Sequence, residues 1–313
     1  MAVHALWDNF AAFFGRLNPS PTFVSQAVSQ HTTITSLIGS PSSSASVLSP
    51  QCFLQGSYKQ ETAIYAINDV DIVVLSALWQ PGEGSSTGRT WSRDEIFDTI
   101  AAPLRADWRY AGKVHYKATS MCIKVDLGIK VEILPVVFKG GNYIADQEPF
   151  RLFRPETGIW EDGYARQHQN WLSWKNNALY ANGNYIRAIK IVKHLRSYWN
   201  VRAVSFHIEC LLFILPDALF AGGPADYVPA LLTYVASIPA SSWYQLDVMT
   251  PCGERRLFSE SEWNWACWST FHQFITSLIP LTNRANSTPY RDIAIEAWQA
   301  VLGDTYFPKE VSR

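Results

Sequence analysis

Several familiar sequence signals are missing from this chain. Its 313 residues hold five cysteines, Cys52, Cys122, Cys210, Cys252 and Cys267, none close enough to another for a zinc knuckle or a redox CxxC. An odd, scattered set of this kind is expected of reduced thiols in a cytoplasmic protein. The seven histidines are also scattered, with no HExxH spacing, so zinc has no evident ligand set. An excess of charge is missing too. Lys plus Arg number 26 against 27 for Asp plus Glu, and a net charge of -1 offers no general attraction for a phosphate backbone, so no stable DNA or RNA partner is expected. No segment approaches the roughly 18 consecutive apolar residues of a membrane helix, and the N-terminal MAVHALWDNFAAFFGRL lacks a basic start before a long apolar run, so neither a span nor a signal peptide is expected. No solenoid period repeats. What is present is 48% hydrophobic residues with 17% charged ones, enough to bury a large core in one big or two interlocked domains.

Along the chain, apolar residues at helical spacing predict a helix over about 3–17 (Leu6, Phe10, Phe13, Phe14, Leu17), ended by Asn18-Pro19-Ser20-Pro21, and a second over about 22–38. A Ser-rich loop, 40–50, then leads to a short apolar stretch, 52–58, and a β-prone run, DVDIVVL at 69–75. A Gly/Ser/Thr loop is expected at 80–91. Ser92 with Glu95 three residues on reads as the capping box of a helix over 92–104. Two more strands are expected at about 119–127 and 129–137, hinged at Gly128. After Gly140-Gly141 the character turns helical, with segments at 183–200, 205–215, 261–279 and 291–303, and the last residues, 307–313, read as a mobile tail. The expected fold is α+β: a mixed twisted sheet with flanking helices in residues 1–145, followed by a helical lobe in residues 146–313.

The chemistry is concentrated near the first strand. Side chains alternate faces along a strand, so Asp69 and Asp71 project together while Val70 and Ile72 face the core. Two carboxylates this close repel each other unless a cation lies between them, and magnesium prefers a few carboxylate oxygens completed by substrate phosphates. Gly56-Ser57 lies upstream; a glycine lets backbone approach a phosphate, and the serine adds a hydroxyl and an N–H. Taken singly, each motif is also an ordinary turn or strand start. A third acid on a neighbouring strand would complete a two-metal site. Glu132 is the first choice and Asp126 the competitor, while pairing of Glu132 with Lys130 or Lys124 across the sheet is its ordinary structural explanation.

The run QGSYKQETAIYAINDVDIVVL at 55–75, joined to GIKVEILPVV at 128–137, resembles the polymerase-β-type nucleotidyltransferases. More narrowly it is similar to the bacterial CD-NTases, relatives of cyclic GMP-AMP synthase and oligoadenylate synthase. The resemblance implies a polymerase-β-like core packed against a C-terminal helical lobe, with the active site in the cleft of a bilobed molecule. It implies that Gly56 and Ser57 hold the β- and γ-phosphates, and that Asp69, Asp71 and Glu132 bind two Mg2+ ions, for which Mn2+ can substitute. The family more often has aspartate where this chain has Glu132. It also places a lysine of the helical lobe, and a serine about one helix later, on the triphosphate; Lys190 and Ser205 match that spacing, and helical periodicity puts Lys190 in one stripe with Arg187 and His194, Lys193 lying beside it. Among the aromatics, Trp171, Trp174, Tyr180 and Tyr185 fall near the implied cleft in sequence order. The Cys/His cluster of the animal DNA-sensing relative's zinc thumb is missing.

By that resemblance the activity is synthesis of a cyclic or short linear oligonucleotide messenger from ATP, with GTP or UTP, releasing pyrophosphate. The product would be recognised by a separate effector in antiphage (CBASS-type) defence, and the enzyme would be a monomer. Single-nucleotide transfer to a protein or RNA and a catalytically silent nucleotide-binding module are the two alternatives.

Overall fold

A computed structural model describes residues 1–79, 91–138 and 149–311. The loop expected at 80–91, apart from Trp91, and the Gly140-Gly141 break lie outside them, as do the last two residues. The chain forms two compact units that interleave in sequence. One comprises residues 19–61 and 66–169, the other residues 1–18, 62–65 and 170–313.

The first unit is built on a mixed sheet. Its strands are β1 (Gln51–Gln55), β2 (Asp69–Trp79), β3 (Val114–His115), β4 (Ile123–Asp126), β5 (Lys130–Phe138), β6 (Phe150–Arg154) and β7 (Ile159–Gly163). The order β1-β2-β5-β4-β3 is antiparallel except for the central pair, where β2 and β5 run parallel from Asp69↔Lys130 onward. β4 pairs with the first half of β5, and β6 takes the same edge further on, at Val136–Phe138. Alternation along β2 and β5 gives the sheet two different faces. Ile72, Val74, Val131 and Ile133 are buried under α2 (Pro21–Gly39) and α4 (Arg93–Ala106), each contributing about 1.5–3 kcal/mol by leaving water. Both helices start where the sequence says they should. Ser20 caps α2 by accepting from the Phe23 N–H at 3.1 Å, with Pro21 at the first helical position. Ser92 and Glu95 form the expected capping box, Ser92 N donating to Glu95 Oε2 at 2.8 Å and Ser92 Oγ accepting from Glu95 N at 3.3 Å.

On the opposite face Val73, Leu75, Leu134, Val136, Phe150 and Leu152 form a smaller apolar patch. Toward the N-terminal ends of β2 and β5 this face changes to charged residues.

The second unit is helical: α1 (Trp7–Leu17), α6 (Tyr185–Tyr198), α7 (Ser205–Phe213), α8 (Pro224–Ser237), α9 (Trp265–Ser287) and α10 (Arg291–Leu302) share one core. α3 (Gly56–Lys59) and α5 (Ala165–Lys175) complete the α-helices among the described residues. The tail is not loose at its start. Phe307 is fully buried, its ring centroid 5.0 Å from that of Phe10, and the Pro308 carbonyl accepts from Asn9 Nδ2 at 2.8 Å. Phe307 and Pro308 are buried, whereas Lys309 and Glu310 are exposed.

Candidate active site

β2 lies between β1 and β5, and its register fixes which groups meet. Asp71 stands opposite Gln55, the last residue of β1, on one side and opposite Glu132 of β5 on the other. The chain therefore leaves β1 beside Asp71. It does so through Gly56, whose φ of +74° turns it into α3 and brings its Cα against the Asp71 carboxylate. A Cβ on residue 56 would overlap that carboxylate, lying 2.9 Å from Asp71 Cγ. This close approach, together with the left-handed φ, is what requires glycine here. Ser57 follows as the second residue of α3, half-buried.

Asp69, Asp71 and Glu132 share a face, because each is an even number of residues from the others along its strand or directly across in register. Burial pushes the Asp71 carboxyl up to about 7, with the charges of Asp69 and Glu132 adding to it. Asp69 is raised as well, first by burial and then by Glu132. Hard oxygen donors that oppose one another's ionisation are short of a cation, and in donor type they fit magnesium. They do not converge as they stand. Among the described residues no three His, Cys, Asp or Glu side chains are grouped to hold a metal ion. Glu132 is instead turned to Lys124, which faces it from β4 with Nζ 3.0 Å from Glu132 Oε1. Of the two lysines expected as partners, Lys130 lies on β5 itself, and the register places Lys124 across from Glu132. Asp126 lies in the next row, opposite Lys130, so Lys130 separates it from Asp69 by a full strand. Glu132 is thus the acid directly beside the pair.

Lys190 and Ser205 belong to the helical unit. Lys190 Nζ donates to Asn18 Oδ1 at 3.0 Å, and Ser205 Oγ accepts from Arg196 Nη1 at 3.0 Å. Ser205 is the first residue of α7. Of the stripe Arg187–Lys190–His194, the histidine does not belong to a solvated cationic face. His194 is fully buried, donates through Nε2 to the Leu302 carbonyl at 2.8 Å, and is held by burial down to about 4. Its helical phase matched the lysine, but at His194 that side of α6 is packed by Phe13 of α1, which meets the imidazole edge-on at 5.3 Å, and by Tyr306 at 4.6 Å.

Lys193 is the residue that spacing passed over. Its Nζ donates to Glu209 Oε1 at 2.6 Å and to Thr62 Oγ1 at 2.9 Å, and Thr62 Oγ1 donates to the same carboxylate oxygen at 2.9 Å. All three are buried. The sequence carries a signal for it: Thr62 lies in the run 55–75, and a glutamate in the apolar helix SFHIECLLF needs a cationic partner. Among the aromatics, Tyr185 is in the core with its hydroxyl donating to the Glu209 carbonyl at 2.8 Å, whereas Trp171 and Trp174 are exposed and the Trp174 and Tyr180 rings lie 3.9 Å apart.

Residues 4–176 match the profile of the Second Messenger Oligonucleotide or Dinucleotide Synthetase (SMODS) domain. A cyclic UMP-AMP synthase of Rhodothermus marinus is 24% identical over 241 residues, 69% of this chain and 79% of that protein. Among solved structures, Rhodothermus marinus CdnE c-UMP-AMP synthase with Apcpp and Upnpp superposes with a TM-score of 0.64 at 20% identity, covering 85% of this chain and 94% of that one. Escherichia coli MS115-1 CdnC with ATP gives 0.70 at 16%, covering 96% and 98%. At these identities the superpositions speak for the fold, while the profile covers more than half of the sequence. The chain belongs to the SMODS family, the CD-NTases of the polymerase-β-like superfamily, nucleotidyltransferases that synthesise oligonucleotide second messengers.

Proposed function

We propose that this chain is a magnesium-dependent nucleotidyltransferase that joins nucleoside triphosphates into a cyclic or short linear oligonucleotide, with pyrophosphate released at each bond formed. The observation that carries the proposal is the register of Asp71 against Glu132, with Asp69 on the same face and the Gly56 turn against Asp71. Asp69, Asp71 and Glu132 would hold the metal, with Mn2+ as a substitute for Mg2+. When bound, the metal supplies Lewis acidity to the phosphoryl oxygens and lowers the pKa of an attacking ribose hydroxyl.

The protein's own part is positional. Gly56 keeps the space beside Asp71 free of a side chain, so that phosphate oxygens can approach the backbone, and Ser57 offers its hydroxyl to them. The raised carboxyl of Asp71 must ionise before it can act as a ligand, and the positive charge placed between the acids is what makes that ionisation favourable. The Rhodothermus marinus relative is named for a product containing UMP and AMP. ATP with UTP is therefore the first substrate pair to test, with GTP the next. The product would be read by a separate effector protein in antiphage signalling.

Purified protein incubated with Mg2+ or Mn2+ and labelled ATP, GTP, CTP and UTP, singly and in pairs, tests this directly. A small phosphatase-resistant product is the expected result. Label on protein or on added RNA would move the assignment to single-nucleotide transfer, and no product under any condition would leave a silent nucleotide-binding module.

A further inference from the structure

The row that contains the third acid ends in a cation of the protein's own. Across β2, β5 and β4 the aligned residues are Asp71, Glu132 and Lys124, and the row beside it reads Asp69, Lys130, Asp126. Both rows lie on one face of the sheet. In the first, the ammonium of Lys124 occupies Glu132 Oε1 at 3.0 Å, with the lysine side chain 55% and the glutamate 27% exposed. Its charge also favours ionised Asp69, through space.

We propose that Lys124 is a resident counter-charge that competes with the divalent cation for Glu132 and so sets the metal concentration at which the acidic row fills. The inference rests on the reading of Asp69, Asp71 and Glu132 as metal ligands. The physical argument has three parts. First, three carboxylates on adjacent positions of one face repel one another, and an ammonium at the end of their row offsets part of that repulsion when no metal is bound. Second, the same ammonium holds the longest and most adaptable of the three side chains on the far side of its row, in keeping with the lack of a converged three-acid group among the described residues. An aspartate in place of Glu132 would be one methylene shorter and less able to swing between the two cations. Third, a half-exposed ion pair is weak, so a divalent cation can displace it, and the displaced ammonium remains near enough to oppose the cation's double charge.

Binding of Mn2+ alone to the full chain at pH 8, read from the free-ion signal in electron paramagnetic resonance, tests the proposal without reference to turnover. Lys124→Met is expected to bind Mn2+ about three- to tenfold more tightly than the native protein, the range for a single charge removed a few ångströms from a divalent ion. Lys124→Arg, which keeps the charge, should stay within about twofold of native. In a Glu132→Gln background the Lys124→Met gain should shrink to the part that comes from through-space repulsion. Unchanged or weaker binding by Lys124→Met overturns the proposal, as does an equal gain in the Glu132→Gln background. Lys124→Gln repeats the test should methionine on this exposed strand cause aggregation. The double variant Asp69→Asn with Asp71→Asn separates the two failures: native-like Mn2+ binding by it removes the metal-site reading itself, whereas loss of Mn2+ there, with Lys124→Met equal to native, removes only the role of Lys124.

Discussion

The Cα of Gly56 lies against the carboxylate of Asp71, so that the turn leaving β1 and the acid on β2 occupy space that a single methyl group would fill. Two consequences of substitution can be separated at this contact. Gly56→Ala carries a penalty for its φ of +74°, about 1–2 kcal/mol, and also drives the new Cβ into Asp71. Gly112, with φ +71° and nothing near an added Cβ, carries only the first. Gly56→Ala should therefore lose more stability than Gly112→Ala in urea unfolding, and only Gly56→Ala should lose synthesis, by about 100-fold or more. Equal activity losses in the two would deny Gly56 a role beyond its backbone conformation.

Asp71 makes metal-free stability depend on pH in an unusual direction for a carboxylate. Its folded pKa is raised to about 7, so between about 4 and 7 the native state holds a proton that the unfolded chain has released. Native stability contributed by this group is therefore lost as pH rises through that window. Asp71→Asn should leave Tm nearly unchanged at pH 4 and raise it at pH 8, by about 2–4 °C per kcal/mol relieved. A variant less stable than native at pH 8 would contradict the electrostatic account. By the same linkage, Mn2+ affinity of the native protein should fall below pH 7, by up to about tenfold per unit, because metal must displace the proton.

The helical unit has its own buried charge. Lys193 and Glu209 side chains are 3% and 6% exposed, and Thr62 is bonded to both. Lys193→Met leaves an uncompensated carboxylate in the core and should destabilise the protein by about 3–5 kcal/mol, while Lys193→Met with Glu209→Leu should recover much of that loss. Urea unfolding of the single and double variants reads the coupling. Additive losses would mean that the two charges do not depend on one another.

The sequence made some of this legible and hid the rest for physical reasons. α4 was marked by Ser92 and Glu95, and β2 and β5 by apolar runs too regular for anything but buried strands. β6 and β7 were missed because FRLFR and IWEDG carry arginines and acids that satisfy one another across the pair, Arg154 Nε lying 3.0 Å from Glu161 Oε2. α8 was missed because Pro224 and Pro229 read as breaks, although Pro224 occupies the first helical position, where no N–H is needed. α9 was expected to stop at Ile279, before Pro280, yet it continues to Ser287; burial of Thr282 and Ala285 outweighs the missing backbone bond. The strand expected over 119–127 begins only at Ile123, since Arg93 Nη2 draws the carbonyls of Lys117 and Ser120 into a loop. At the site, alternation alone put Asp69, Asp71 and Glu132 on one face. The hold of Lys124 on Glu132 depends on the β4–β5 register, which no local pattern encodes.

The central claim is that Asp69 and Asp71 act as ligands in synthesis and not as supports of the fold. The most direct measurement compares native protein with Asp69→Asn, Asp71→Asn in the labelled ATP-plus-UTP and ATP-plus-GTP reactions with Mg2+, after circular dichroism and urea unfolding have shown both to be folded. The account predicts a phosphatase-resistant product from the native protein and at least a 1,000-fold loss in the variant, as expected for removal of charge stabilisation at the reacting phosphorus. A folded variant that makes product at the native rate would contradict it.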